Sequence, residues 1–435
     1  MDGTGTAAPS YGGLESKDEL TSTDDHPLRP SKLQTKKSKT SLFYIPSTSL
    51  MATTKENAAR PPHRRPRLNS TNDKALLQIR SHSRSRLSPA QRLHHRTRGG
   101  ALPRHPRAVL QRTWVLPLAL TLVVIAVYVA DPNESNAAHK FLFLSYKLDD
   151  QHEHVQYGKG PRDIAFVSFY TVFLTFIREF IMETALRPLA RYGGIRSRAK
   201  QARFMEQMYT VCHFAFAGPL GLYTMKQSPG LWYFRTRGMY EGYPHVVHTA
   251  TFKFYYLFQA AYWVQQAIVM TLGQEKPRKD FKELIAHHIL TLTLIFLSYR
   301  FHFTYIGIFV YITHDISDLF LAISKTLNYL DHPAQYASFA LCIALWVYLR
   351  HYLNLAILYS VATEYSTVGP FELDWAAQQY KCGVAQLGTL ALLAALQGLN
   401  LFWLRCLLRT AYRYVVSGVA KDDRSEAEEE EGGRS

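Results

Sequence analysis

The stretch from Glu283 to Lys325 places five ionisable side chains inside two apolar runs joined by a short turn. His287 and His288 open the first run, and His314, Asp315 and Asp318 lie in the second. An ionised group at bilayer depth costs about 2.5–3.5 kcal/mol on insertion scales, so such residues are rarely kept without a use. Histidine exchanges protons near neutral pH, and a neighbouring carboxylate orients its ring and stabilises the imidazolium. Acid–base or nucleophilic work is the expected chemistry.

The connecting turn, Arg300-Phe301-His302-Phe303, is aromatic and basic, which suits a membrane interface. His288 and Asp315 are equidistant from its centre, and at about 1.5 Å per residue both lie roughly 20 Å from it. They are expected at one level. Helical spacing also aligns Tyr311, Asp315, Asp318, Ala322 and Lys325 on one stripe, and Glu283, His287 and Thr291 on another. Facing stripes would set an imidazole beside a carboxylate. Other uses of the histidines stay open: haem ligation, a di-iron site, pH sensing, or hydrogen bonds between helices. No second haem ligand stands out and no HxxHH cluster exists, so no metal is expected.

Eight apolar segments are available to position these residues, at about 114–130, 164–186, 205–225, 251–272, 283–300, 304–325, 337–361 and 383–408. Each approaches the ~20 residues that a helix needs to cross the hydrocarbon. The expected fold is an all-α polytopic membrane bundle of about eight transmembrane helices. Gln259, Gln265, Gln266 and Asn354 read as hydrogen-bonding links between helices. Arg178 and Glu179 are also mid-segment. Arg350 needs a partner at depth, either Asp315 or Asp318, or a substrate headgroup.

The formal charge of +16 comes mostly from residues 60–113, where Asp73 is the one acid. Residues 1–113 lack periodicity and are rich in Ser, Pro, Arg and His, so they read as a disordered tail. No apolar segment lies in the first thirty residues, so a cleavable signal peptide is not expected. The tail abuts a span and carries no folded reader, which argues against nucleic acid and for anionic membrane lipid. Ser70 follows Arg65 and Arg67 in a basophilic kinase pattern, and Ser425 precedes acids in the 417–435 tail. Polar filler is the competing reading of the first, and a plain solubilising tail that of the second. The basic loops at 187–203 and 276–282 put both termini in the cytoplasm, and the Asn133-Glu134-Ser135 sequon in the lumen. Cys212, Cys342, Cys382 and Cys406 are scattered and indicate neither a disulfide framework nor zinc.

The 287–329 region is similar to the signature of the longevity-assurance family, the ceramide synthases with a TLC domain. The carrying residues are His287, His288, Ser298, Tyr299, Asp315, Ser317, Asp318, Lys325, Asn328 and Tyr329. The likeness extends over about 137–416 through YGKGPRDIAF, FIREFIM, RFMEQ, FYYLFQAAYWVQQ and QQYKCGVAQ, and its flavour is fungal. Residues 114–136 would then form a first transmembrane helix and luminal sequon ahead of a 137–416 catalytic domain. His314 departs from the apolar residue found in some fungal relatives.

The resemblance implies an endoplasmic-reticulum enzyme that joins a sphingoid base to a fatty acyl group from acyl-CoA, with no bound cofactor. A dimer or a complex with a small accessory membrane subunit is the expected assembly. His287, His288, Asp315 and Asp318 would be catalytic, with Tyr311, His314, Ser317 and Arg350 in support. A histidine would act as base or as acyl acceptor, and Ser317, Tyr311 or the other histidine would donate to the oxyanion. Lys276, Arg278 and Lys279 would hold the CoA phosphates. Non-enzymatic lipid sensing or transport is the rival class, and another membrane acyltransferase the second.

Overall fold

The computed structural model describes residues 112–148, 155–228, 230–274 and 280–417. Ser70, Ser425, Lys276, Arg278 and Lys279, and most of the two tails, lie outside them. Eight long helices are described, each on one of the eight apolar segments. They are α1 (Val115–Ala130), α2 (Asp163–Tyr192), α3 (Arg198–Gln227), α4 (Ala250–Thr271), α5 (Phe281–Arg300), α6 (Thr304–Tyr329), α7 (Gln335–Thr363) and α8 (Gly383–Ser417).

Five of these, α2 and α5 to α8, are long and apolar enough to cross a membrane. α1 is apolar but has 16 residues. α3 and α4 are long, but basic ends in the first and Lys253, Gln259, Gln265 and Gln266 in the second lower their apolar character. The chain is an all-α polytopic membrane protein. Its one described sheet is the two-residue pairing of Gln156–Tyr157 with His248–Thr249.

The core forms where α3, α4 and α6 meet. Glycine makes one approach possible: a Cβ at Gly221 of α3 would stand 2.5 Å from the Tyr255 hydroxyl and 2.9 Å from Ile312. Without it, α4 and α6 pack close to α3, and Tyr255 comes within reach of α6. At the end of the bundle near the Phe301–His302 turn, Lys253 and Asp163 form a buried ion pair at 2.7 Å. Lys253 also donates to the Ser145 and Gly158 carbonyls, and Tyr299 donates to Asp163 at 2.7 Å. A charged lysine tolerates this depth because the carboxylate offsets its charge and two carbonyls accept from it. These bonds tie α2, α4 and α5 at one end, which sets the register of the histidines.

α2 and α7 each contain one π-helical stretch, at Met182–Leu186 and Tyr348–Leu353. Such bulges widen a turn and re-aim side chains, often at functional sites. The second aims Arg350 and His351 inward.

Candidate active site

Two cavities meet inside the bundle. One, of about 420 Å³, is almost wholly apolar and runs among α5, α6, the 373–382 loop and α8, with Leu294, Ile306, Val310, Leu392 and Leu396 in its wall. The other, of about 180 Å³, is the more polar of the two, with Asp280, His287, His288, Asp318, Lys325 and Arg350 among its lining residues. Trp263 and His287 line both.

His287 is buried and held by aromatic edges. Its ring lies edge-on to Trp263 at 5.7 Å and to Trp403 at 5.3 Å. Its Nε2 is 3.5 Å from the Thr291 hydroxyl, and its Nδ1 has no hydrogen-bond partner. His288 donates from Nδ1 to the Leu284 carbonyl at 2.9 Å, which fixes its ring. Trp403 donates to Asp280 at 3.2 Å, so α8 carries both the clamp on His287 and a link to the start of α5.

Arg350 pairs with Asp318 at 2.5 Å. Its Nε donates to Ser317 at 2.6 Å, its Nη1 to Asn400 at 3.3 Å and its Nη2 to the His314 carbonyl at 3.3 Å, while Trp346 faces it at 4.0 Å. Of the two aspartates open in the sequence, Asp318 is the one taken. Asn400 also donates to Nε2 of His314, whose Nδ1 donates to the Val310 carbonyl at 2.8 Å. His314 is therefore neutral and structurally committed, one edge lining the apolar cavity.

Asp315 goes elsewhere. It is fully buried and lines neither cavity. It accepts from Tyr255 at 3.0 Å and from Gln259, which also meets His213 at 3.1 Å. The expected imidazole–carboxylate contact is thus replaced at Asp315 by a phenol and an amide. The reason is rotational: α6 turns Asp315 towards α3 and α4, and only Asp318 of the pair towards α5 and α7. Tyr311 lines the apolar cavity with an unpartnered hydroxyl, and Ser317 is spent on Arg350 and the His314 carbonyl. Asn133 is exposed beyond α1, where its Oδ1 accepts from Ser135.

A histidine at the junction of an apolar slot and a more polar chamber is placed where acyl transfer to a polar acceptor would need one. A TLC-domain profile matches residues 203–409. Over 328 residues the chain is 56% identical to a sphingosine N-acyltransferase-like protein of Gibberella moniliformis, covering 74% of this chain and 84% of the relative. The chain belongs to the TLC-domain ceramide synthase family. It is also 48% identical to a sphingosine N-acyltransferase of Schizosaccharomyces pombe over 321 residues, 74% and 83% of the two chains. A ceramide synthase of Saccharomyces cerevisiae is 45% identical over 323 residues, 74% and 78% of the two.

Sequence reasoning on this family member missed Trp263, Asp280, Asn400 and Trp403. Asn400 and Trp403 had a visible signal, being spaced by three in an otherwise apolar run that also holds Gln397. Asp280 had none.

Proposed function

We propose that the chain is a ceramide synthase that transfers a fatty acyl group from acyl-CoA to the amine of a sphingoid base. The observation that carries this reading is the junction at His287, where the apolar and polar cavities share a wall. The apolar cavity takes the acyl chain, and the thioester carbonyl lies beside His287. The amine and the CoA sulfur occupy the polar side, with Asp318 held by Arg350 at its edge. His287 accepts a proton from the attacking amine, or accepts the acyl group first and passes it on. Asp315, bonded to Tyr255 and Gln259, keeps α6 in register, and His288 braces the start of α5.

The finer reading completes the frame. All eight helices span the endoplasmic-reticulum membrane, and both tails are cytoplasmic. The 137–416 segment is the catalytic domain, preceded by a first helix and a luminal, glycosylated Asn133. Lys276, Arg278 and Lys279 meet the CoA phosphates at the cytoplasmic mouth. Ser70 and Ser425 are phosphorylated. The functional unit is a dimer or a complex with a small accessory membrane subunit.

The test is reconstitution in vesicles with stearoyl-CoA and dihydrosphingosine, reading amide and free CoA by mass spectrometry. Amide formation that disappears in His287→Ala supports the reading. Intact protein, purified with whatever membrane subunit accompanies it, that forms no amide with any saturated acyl-CoA from palmitoyl to hexacosanoyl overturns it.

A further inference from the structure

Acyl transfer from a thioester places negative charge on a carbonyl oxygen, and in a water-poor site that charge needs a fixed donor. The donors near His287 are mostly committed. Ser317 donates to the His314 carbonyl, His288 Nδ1 to the Leu284 carbonyl and Tyr255 to Asp315. Trp263 is not. Its indole nitrogen is buried and has no hydrogen-bond partner, although an indole N–H can only donate. A buried donor left unmade costs free energy, so an acceptor that arrives with the substrate accounts for it. Trp263 lies edge-on to both His287 and His288, at 5.7 and 5.9 Å between ring centres. It also lines both cavities, as the reacting carbonyl must. Tyr311 and Trp346 also carry unpartnered donors here, but Tyr311 lines the apolar cavity alone and Trp346 the polar one alone.

We propose that the Trp263 indole N–H is the oxyanion donor of the reaction. The assignment rests on the acyl-transfer reading above. As the free amine attacks, its nitrogen lone pair forms the C–N bond and the carbonyl π pair moves onto oxygen, where the indole N–H meets it. On collapse the C=O re-forms, the C–S bond breaks and its electron pair leaves on the CoA sulfur. His287 takes the proton from the amide nitrogen and returns it to that thiolate. If His287 is acylated first, the same oxygen meets the same N–H in each half-reaction.

The test compares full-length wild type with Trp263→Phe, which keeps an aromatic edge on His287 but has no N–H. A second variant places 3-benzothienylalanine at 263, keeping the bicyclic shape. Turnover of stearoyl-CoA with dihydrosphingosine is expected to fall about 10²–10³-fold in both, with KM for acyl-CoA little changed. A dithioester analogue, carrying C=S in place of C=O, supplies a readout that packing cannot mimic. The wild-type preference for oxygen over sulfur should shrink in the variants, whereas a packing defect lowers both rates alike. If Trp263→Phe does not fold, the benzothienylalanine protein carries the test. Wild-type turnover in either folded variant overturns the assignment, as does an unchanged oxygen-to-sulfur ratio. Tyr311→Phe losing rate while both Trp263 variants keep theirs also overturns it. A wild type that is inactive with every saturated acyl-CoA from palmitoyl to hexacosanoyl, purified with any accompanying membrane subunit, overturns the acyl-transfer reading and this assignment with it.

Discussion

The Arg350 guanidinium meets the Asp318 carboxylate at 2.5 Å, the arginine 2% and the aspartate 23% exposed in their side chains. Both line the polar cavity, but only the aspartate is open enough there to be partly hydrated. Breaking a buried pair from one side costs about 3–5 kcal/mol, and partial hydration of Asp318 places this case at the lower end. Arg350→Met should lower the unfolding temperature of the detergent-solubilised protein and greatly reduce turnover. Arg350→Met combined with Asp318→Leu should recover part of the stability but no activity. An unchanged melting temperature in the single variant would remove the pair from the stability argument.

His287 lines both cavities, whereas His288 lines the polar one and has its Nδ1 bound to a carbonyl. His287→Ala should cost about 10²–10⁴ in turnover, the span typical of a lost general base. Incubating the wild type with acyl-CoA and no amine separates the two orders of events. An acyl adduct on His287 by peptide mass spectrometry signals the covalent route, and its absence with normal turnover signals direct attack. Full activity in both His287→Ala and His288→Ala would return the pair to a structural role.

Asp315 and Gln259 are coupled by a hydrogen bond that also reaches His213. Asp315→Ala and Gln259→Ala should each destabilise the fold, and the double variant should cost less than their sum. The expected interaction is about 0.5–3 kcal/mol in a thermodynamic cycle. Additivity within about 0.3 kcal/mol would mean that the link contributes nothing.

Lys159, in the loop before α2, has its ammonium disfavoured by burial first and by Lys253 second, against a smaller pull from Asp163. Its pKa is lowered from 10.5 to about 7. Between those values the unfolded chain holds a proton that the folded protein lacks, so stability must rise with pH across this window. It is lost as pH falls towards 7. Thermal unfolding from pH 7 to pH 10 should show this rise, flattened in Lys159→Met. Equal slopes in the two proteins would contradict the assignment.

The sequence by itself determined where the helices run, because apolar length and turn chemistry are local properties. It also singled out His287, His288, Asp318 and Arg350, because charge in an apolar run stands out without any partner in view. The alternation that put Asp315 and Asp318 on one stripe was equally legible, yet it held only to within the width of a helix face. Which of the two faces Arg350 is a matter of helix rotation, and that was decided by packing: Gly221 admitting Tyr255 against α3, and the π turn re-aiming α7. The junction of two cavities at His287 and Trp263 likewise belongs to the tertiary structure. A tryptophan in an apolar run looks like core or interface in sequence. Only the absence of an acceptor for its N–H, a fact about its surroundings, marks it as waiting for one.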